Sequence, residues 1–299
     1  MSHPALEVVV TVLREQLAEL VALDAAVRAD APEAVHDMRT IVRRTRTTLA
    51  ATRPVLARDV TDALRDRLGR LGAALEPARD AEVRAELAET LLDTDGGDDE
   101  RVRARLVDDA HHDDDRDRLA IVALLDSASW TELVRDLAEL VERPPIAGDA
   151  HRGQRSVLHR ALGRQARRAH RRLGRMDAAD LESVHAARKA VRRVRYLAEA
   201  IAQYAPHGGG PGVVELGAAA KQLQDVLGDH RDAVIHAAWI ANEATAAERA
   251  GENPEAYRRL ERIEQHRASA LEADWTPAID EFERRRRELG EVPALRTSA

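Results

Sequence analysis

The sequence contains no cysteine, which excludes disulfide bonds, thiolate metal sites and a cysteine nucleophile. Aromatic residues make up only 2% of its 299 residues, whereas 44% of the residues are hydrophobic. A core with so few aromatic rings must be built from Ala, Leu and Val, which suits closely packed helices better than a β-sheet. We therefore predict an all-α protein.

Long apolar runs are also missing, because no stretch approaches the roughly 18 uncharged apolar residues that span a bilayer. The amino-terminal segment MSHPALEVVVTVLREQLAEL carries Glu7, Arg14 and Glu15 and has the period of an amphipathic helix, not the pattern of a signal peptide. We expect a protein without a membrane segment, and a cytoplasmic location is the simplest expectation.

Apolar residues recur at three and four positions along most of the chain, which is the spacing of one helix face. Proline, glycine and capping residues interrupt this period at several points, which outlines about ten helices. The clearest interruptions are Asp95-Gly96-Gly97 and Arg143-Pro144-Pro145.

An internal repeat organises the sequence. VHDMRTIVRRTR, residues 35–46, matches VHAARKAVRRVR, residues 184–195, at an offset of 149, with seven of twelve positions identical. A weaker match at an offset of 152 aligns Leu75, Arg79 and Asp80 with Leu227, Arg231 and Asp232. We therefore predict two related halves, residues 1–143 and 151–290, joined by a linker at 144–150 and followed by a tail at 291–299.

The formal net charge of −7 argues against a polyanionic partner, but the charges are unevenly distributed. An acidic insertion at about residues 93–117 contains eleven acids and four arginines, and we expect it to be solvated, part helix and part loop. Residues 151–195 contain fourteen bases and three acids. A net acidic protein is thus predicted to carry a strongly basic surface.

Placed on a helix at about 100° per residue, the repeated motif forms an apolar arc with a cationic row beside it. The apolar arc of the first copy is Val35, Met38, Ile41, Val42, Thr45 and Leu49, and Arg44 and Arg193 point away from the rows. Such a row presents a cation about every 5.4 Å, and the guanidinium fork matches phosphate oxygens. The row suits a linear phosphate chain, although a charge run is also typical of a merely solvated helix face.

An acid also lies on the cationic row of the second motif, because Glu199 is at helical spacing from His185 and Arg195. We predict that Glu199 pairs with one of these arginines, with Tyr196 packed beside it.

The two motifs, together with LEPARD and LQDVLGDHRD, resemble the signatures of the conserved-histidine α-helical domain (CHAD) family. The resemblance extends from about Leu6 to near Leu289. It implies two pseudo-symmetric antiparallel helical bundles with a central basic groove or pore that binds inorganic polyphosphate. Association with polyphosphate granules is a further expectation.

Carried over to this sequence, the resemblance implies phosphate contacts from both rows, with weaker candidates in the companion segments. The residues are His36, Arg39, Arg43 and Arg46 in the first row, His185, Arg188, Lys189, Arg192 and Arg195 in the second, and Arg79, Lys221 and Arg231 as weaker candidates.

Three departures from the family pattern distinguish the first half, which is expected to contribute less to binding. Glu76-Pro77 replaces a glycine, the acidic insertion is present, and the first helix is not basic. At the offset of 149, its counterpart in the second half carries a stripe of arginines that forms either an extra binding surface or a solvated face: Arg164, Arg168, Arg171 and Arg175.

Two alternatives remain beside non-catalytic polyphosphate binding. An RNA- or DNA-binding protein would also use rows of arginine, but the scarcity of aromatic residues and the net acidic charge argue against it. A metal-dependent enzyme acting on polyphosphate or phosphorylated substrates would need an acid cluster, for which Asp80 and Asp232 are the only symmetric candidates. No glycine-rich phosphate loop or catalytic triad signature is present, and no enzyme activity, cofactor or metal is predicted.

Overall fold

The computed structural model describes residues 4–52, 55–95, 100–147, 154–204 and 206–291. These residues form helices joined by short connections, which confirms the all-α prediction. The helices are α1 (Pro4–Arg28), α2 (Ala34–Ala51), α3 (Arg58–Ala74), α4 (Glu76–Asp95), α5 (Glu100–Arg103), α6 (Asp109–Leu125), α7 (Ala128–Glu142), α8 (Gln154–Leu173), α9 (Leu181–Tyr204), α10 (Pro206–Arg249), α11 (Glu255–Glu272) and α12 (Trp275–Glu291). A π-helical turn (Ala104–Asp108) joins α5 to α6.

The helix that carries the first repeated motif, α2, buries the apolar arc predicted for it. Met38, Ile41, Val42 and Leu49 are fully buried, and Thr45 satisfies its hydroxyl by donating to the Ile41 carbonyl. Helix α9 buries Val184, Val191 and Val194 in the same way. Each motif helix therefore faces the core with one side and leaves its cationic row at the edge of that face.

Two hydrophobic cores hold the helices together. The larger core draws side chains from α1, α2, α3, α7, α8, α9, α12 and the first part of α10. The smaller core lies between α4, α11, the later part of α10 and the acidic insertion, which contributes Val102, Leu106 and Val107. The insertion was predicted to be solvated, part helix and part loop. Its described residues are helical, as expected in part, but they bury Val102, Leu106 and Val107, and residues 96–99 lie outside the described residues.

The two copies of the weaker repeat differ in helix continuity. Leu75 separates α3 from α4, and Pro77 follows, where the missing N–H and the proline ring disfavour a continuous helix. At the matching place in the second half, Leu227 and Gly228 lie inside α10, which continues to Arg249. In the repeat, α10 therefore corresponds to both α3 and α4. The pseudo-symmetry of two bundles stays a prediction.

The boundaries drawn from the sequence also remain predictions. Two backbone hydrogen bonds of 2.7 Å hold the described part of the linker 144–150: the Ala57 N–H donates to the Pro145 carbonyl, and the Ala147 N–H donates to the Val55 carbonyl. Residues 148–150 lie outside the described residues. The predicted tail, apart from Glu291, lies outside them as well. Within the described part of the chain, no helix is long and apolar enough to cross a membrane.

Phe282 tests whether the carboxy-terminal helices belong to the main folding unit. Its side chain is fully buried in the larger core, so Phe282→Ala is expected to lower the free energy of unfolding by about 3–5 kcal/mol. The control, Leu119→Ala, removes a side chain that is 66% exposed and should change stability by less than about 0.5 kcal/mol. Chemical denaturation measures both, and equal effects would show that α12 does not stabilise the core.

Candidate functional site

Arginines from the two repeated motifs converge where α2 approaches α9. We call Arg39, Arg43, Arg188 and Arg192 the central cluster. Burial lowers the pKa of Arg43, and the neighbouring cations Arg39 and Arg188 lower it further. Burial, together with the charges of Arg43 and Arg188, lowers the pKa of Arg192 to about 9. The two rows therefore meet in one partly desolvated group of like charges.

Two members of the central cluster form no ion pair among the described residues, although the charge of Glu76 acts on one of them, Arg43. Arg192 forms no ion pair with any described residue. One guanidinium nitrogen of Arg43 donates to the Thr40 hydroxyl at 3.1 Å, while its buried Nε has no hydrogen-bond partner in the described part of the chain. Buried cations are normally paired, because desolvation is costly. The arrangement therefore leaves positive charge without an ion pair among the described residues.

The other two members of the central cluster, Arg39 and Arg188, have different neighbours in the two halves. Arg39 contacts Glu76 at 2.7 Å. Glu76 aligns with Gly228 in the second half, where the Arg188 guanidinium lies so close to the helix that a Cβ on Gly228 would be 2.7 Å from its Nη2. The Arg188 Nε also donates weakly to the Gln224 carbonyl, at 3.4 Å. In the first half the arginine is therefore paired with an acid, whereas in the second half the arginine packs against a glycine.

His185 continues the cationic surface beyond Arg188. Burial, together with the nearby charges of Lys189 and Arg231, lowers its pKa to about 4. Its Nδ1 is buried without a hydrogen-bond partner among the described residues. His185 is consequently neutral at physiological pH and able to donate one N–H to an anion. Its counterpart His36 instead lies 3.9 Å from Glu33.

More arginines lie on one flank of the central cluster. We call Arg46, Arg65, Arg168, Arg172 and Arg193 the α8 side. Burial lowers the pKa of Arg193, and the cations that add to this effect come from α2, α3 and α8: Arg168, Arg65, Arg46 and Arg172. Arg46 has a buried Nε without a partner in the described residues, while Arg65 pairs with Asp62 at 2.8 Å. This flank holds a surplus of positive charge.

The opposite flank is balanced by acids. We call Glu15, Glu19, Arg44, Arg195, Tyr196 and Glu199 the α1 side. Glu199 contacts Arg195 at 2.7 Å and Arg44 at 4.0 Å, which confirms the predicted pairing of Glu199 with an arginine of the row. The Tyr196 ring lies beneath both guanidinium groups. Its centroid is 5.5 Å from the Arg44 Cζ and 5.6 Å from the Arg195 Cζ, which are cation–π distances. The positive charges on this flank already have partners.

No group of three or more His, Cys, Asp or Glu side chains within the described residues is arranged to hold a metal ion. Of the two symmetric acids considered for such a site, Asp232 lies 3.5 Å from Arg231 and is accounted for by that pair. The side chains of Asp80 and of the candidate Arg79 lie outside the described residues. The chemistry available at the site is therefore anion recognition through guanidinium, ammonium and imidazole donors.

Residues 11–241 match the CHAD domain, which covers most of the chain. The chain belongs to the CHAD family. Two uncharacterized proteins of Mycobacterium tuberculosis, MT2285 and Rv2226, are each 31% identical to it over 270 residues, which cover 85% of this chain and 49% of theirs. The chain therefore spans about half the length of these curated relatives.

Two solved structures share the CHAD fold of this chain. PptA from Streptomyces chartreusis superposes with a TM-score of 0.73 at 20% sequence identity, over 93% of this chain and 99% of PptA. The CHAD domain from the plant Ricinus communis superposes with a TM-score of 0.63 at 22% identity, over 97% of this chain and 93% of that domain. At these identities the likeness concerns the fold alone.

The structure separates the predicted site residues by their surroundings. Those that share one cationic surface are Arg39, Arg43, Arg46, Arg168, His185, Arg188, Lys189, Arg192 and Arg231, although Arg39 and Arg231 are also paired with acids. Arg195 and Lys221 are held by acids, the latter by Asp225 at 2.7 Å. Arg164 and Arg171 are exposed on α8, and Arg175 is exposed in the turn that follows it. Phosphate contact from each of these residues stays a prediction.

Sequence reasoning missed three arginines of the α8 side. Arg193 was correctly expected to point away from the row, but its destination depends on the packing of α9 against α8 and α3. Arg65 and Arg172 belong to no repeated motif, so only the folded chain brings them together. The basic composition of residues 151–195 was the one available signal.

His185 provides a test of this electrostatic environment. In the free protein its imidazole is expected to titrate near pH 4 instead of the ordinary 6.5, because burial and the adjacent cations disfavour the protonated form. Since the unfolded chain takes up this proton more readily, His185 should also reduce stability as the pH falls from 6.5 toward 4. NMR titration, with His185→Gln to assign the resonance, measures the pKa, and titration near 6.5 would contradict the proposed cation environment.

Proposed function

We propose that this protein binds inorganic polyphosphate through the central cluster and carries out no chemical step on it. The observation that carries the proposal is the convergence of Arg43 and Arg192, which come from separate copies of the repeat and lie together, partly buried, without an ion pair to either among the described residues. Such an arrangement costs folding free energy. A bound polyanion offsets that cost by supplying the missing negative charge.

The extent of the cationic surface favours a chain of phosphates over a single phosphate. Charges run from Lys189 and Arg231 beside His185, through the central cluster, to the arginines of the α8 side. One orthophosphate ion reaches only a few of these donors. A linear chain contacts many of them at once, and each contact after the first is made at high effective concentration.

The side chains near the cluster favour inorganic phosphate over nucleic acid. Binding of single strands normally combines phosphate contacts with aromatic rings on which bases stack. Of the two tyrosines at the α1 side, Tyr196 is buried and covered by the guanidinium groups of Arg44 and Arg195, and Tyr204 is partly buried and donates a hydrogen bond to Glu15. The site therefore offers phosphate donors without a free stacking platform.

A non-catalytic role also fits the chemistry of His185. A general base works best when its pKa lies near the working pH. Burial and the surrounding cations hold the pKa of His185 at about 4, which makes it a weak base but leaves it able to donate a hydrogen bond to an anion. We assign His185 to phosphate binding. We also propose that the protein is located in the cytoplasm, at polyphosphate granules.

Membership of the CHAD family supports this proposal, because the motifs that place the chain in the family are those that supply the central cluster. The chain covers about half of its mycobacterial relatives, so the proposal concerns the activity of this segment.

Competition between ligands tests the class of anion that is bound. Long-chain polyphosphate is expected to displace single-stranded RNA at matched salt, and its affinity should fall steeply as salt rises, because the arginines displace condensed counterions. Fluorescence anisotropy with labelled RNA measures both effects. Preferential retention of RNA, or an affinity that does not change with salt, would overturn the proposal.

Arg192→Met separates a binding role from a structural role. Removing a partly buried cation that has no ion pair among the described residues is expected to raise the free energy of unfolding by about 1 kcal/mol, while polyphosphate affinity falls at least about tenfold. The matched control, Arg116→Met, removes a charge from a side chain that is 71% exposed and should leave binding unchanged. Denaturation and binding isotherms give the two values, and a variant that loses stability but keeps its affinity would show that Arg192 supports the fold.

A further inference from the structure

The two flanks of the central cluster occupy equivalent places in the internal repeat but have opposite electrostatic character. At the offset of 149, Arg44 corresponds to Arg193 and Arg46 corresponds to Arg195. Arg44 and Arg195 share Tyr196 and Glu199 on the α1 side. Arg193 and Arg46 lie together on the α8 side. A duplicated pair of arginines is therefore placed in two different environments.

Carboxylates occupy the α1 side. Glu15 accepts a hydrogen bond from Tyr204, and both line a pocket of about 470 Å³ together with Glu19, Arg44, Tyr196 and Glu199. Asp225 adds a fourth carboxylate, 3.9 Å from Arg195. A polyanion on this flank would have to displace these acids from the arginines or lie against their charge. The flank is consequently unfavourable for phosphate.

Arginines dominate the α8 side. Arg168 and Arg172 of α8 lie close enough to Arg193 for their charges to act on it, and each is exposed, so a ligand can reach it from solvent. Neither Arg168 nor Arg172 forms an ion pair within the described part of the chain. On this flank Asp62 pairs with Arg65, and the charge of Asp66 acts on Arg46. Positive charge remains in excess after both are counted.

The difference arises in the first helix of each half and not in the shared motif. Glu15 and Glu19 on α1 occupy the repeat positions of Arg164 and Arg168 on α8. The same crossing of α2 and α9 is thereby flanked by an acidic helix on one side and a basic helix on the other. The sequence of the two outer helices sets the direction in which a polyanion is attracted.

We propose that a polyphosphate chain bound at the central cluster extends over the α8 side only, contacting Arg193, Arg168 and Arg172, and that the carboxylates of the α1 side exclude it there. The inference rests on the proposed function and adds a direction to it. Repulsion by fixed carboxylates and attraction by unpaired arginines act on the same ligand, so both favour one exit from the centre.

Paired alanine variants of α8 test this direction. Arg168→Ala/Arg172→Ala is expected to weaken long-chain polyphosphate at least about tenfold and to reduce the slope of log affinity against log salt by roughly 0.7 for each lost contact. Inorganic tripolyphosphate, which is short enough to remain at the central cluster, should bind as tightly as before. The control Arg160→Ala/Arg167→Ala removes two exposed arginines from the same helix, about 100° away from Arg168, and should change neither ligand.

The outcomes separate this inference from the proposed function. Equal losses in the two α8 pairs, or no loss in either, would overturn the direction while wild-type binding and the sensitivity of Arg192 kept the central site in place. Failure of the wild-type protein to bind long-chain polyphosphate would overturn both.

Neutralising the α1 side tests the exclusion separately. Glu15→Gln/Glu19→Gln keeps both side chains in shape and is expected to raise long-chain affinity more than tripolyphosphate affinity, because the second flank becomes accessible. Glu86→Gln/Glu89→Gln on α4 changes the net charge equally at exposed positions and corrects for a general electrostatic effect. Identical affinities in the two glutamine variants would show that the α1 carboxylates do not exclude the ligand.

Discussion

Mutual repulsion between arginines is the constraint around which this protein is built. Helices α2 and α9 must pack closely to bury Met38, Ile41, Val191 and Val194, yet each carries its cationic row beside that apolar face. The larger core supplies the free energy that holds Arg43 and Arg192 together in spite of their charge. Stability is thus spent on a preorganised group of donors, which lose little further freedom when an anion binds.

The two halves share a motif but contribute unequally to the cationic surface. Glu76 neutralises Arg39, whereas Gly228 leaves room for the Arg188 guanidinium against the continuous α10. The acids of α1 then balance one flank of the crossing, while the arginines of α8 enlarge the other. A net charge of −7 is compatible with polyanion binding, because the cations are concentrated in one region and the acids lie largely elsewhere or in pairs.

Much of the site could be predicted from the sequence, because the repeated motif and the helical period together place Arg39, Arg43, Arg188 and Arg192 on rows beside an apolar arc. The pairing of Glu199 followed from the same local rule. The convergence of the rows could not be predicted, since it depends on how α2 meets α9. Arg65 and Arg172 reach the site through the packing of α3 and α8, which no periodicity records. The buried face of the acidic insertion was missed because its few apolar residues are scattered among many charges.

A crystal structure of the protein with long-chain polyphosphate would test the central claim most directly. The account predicts phosphate oxygens in hydrogen-bond contact with the guanidinium groups of Arg43 and Arg192 at the same time, with the ordered chain continuing past Arg193 and the four carboxylates of the α1 side still in place. A chain bound only to exposed arginines elsewhere on the surface, with no phosphate between Arg43 and Arg192, would contradict it.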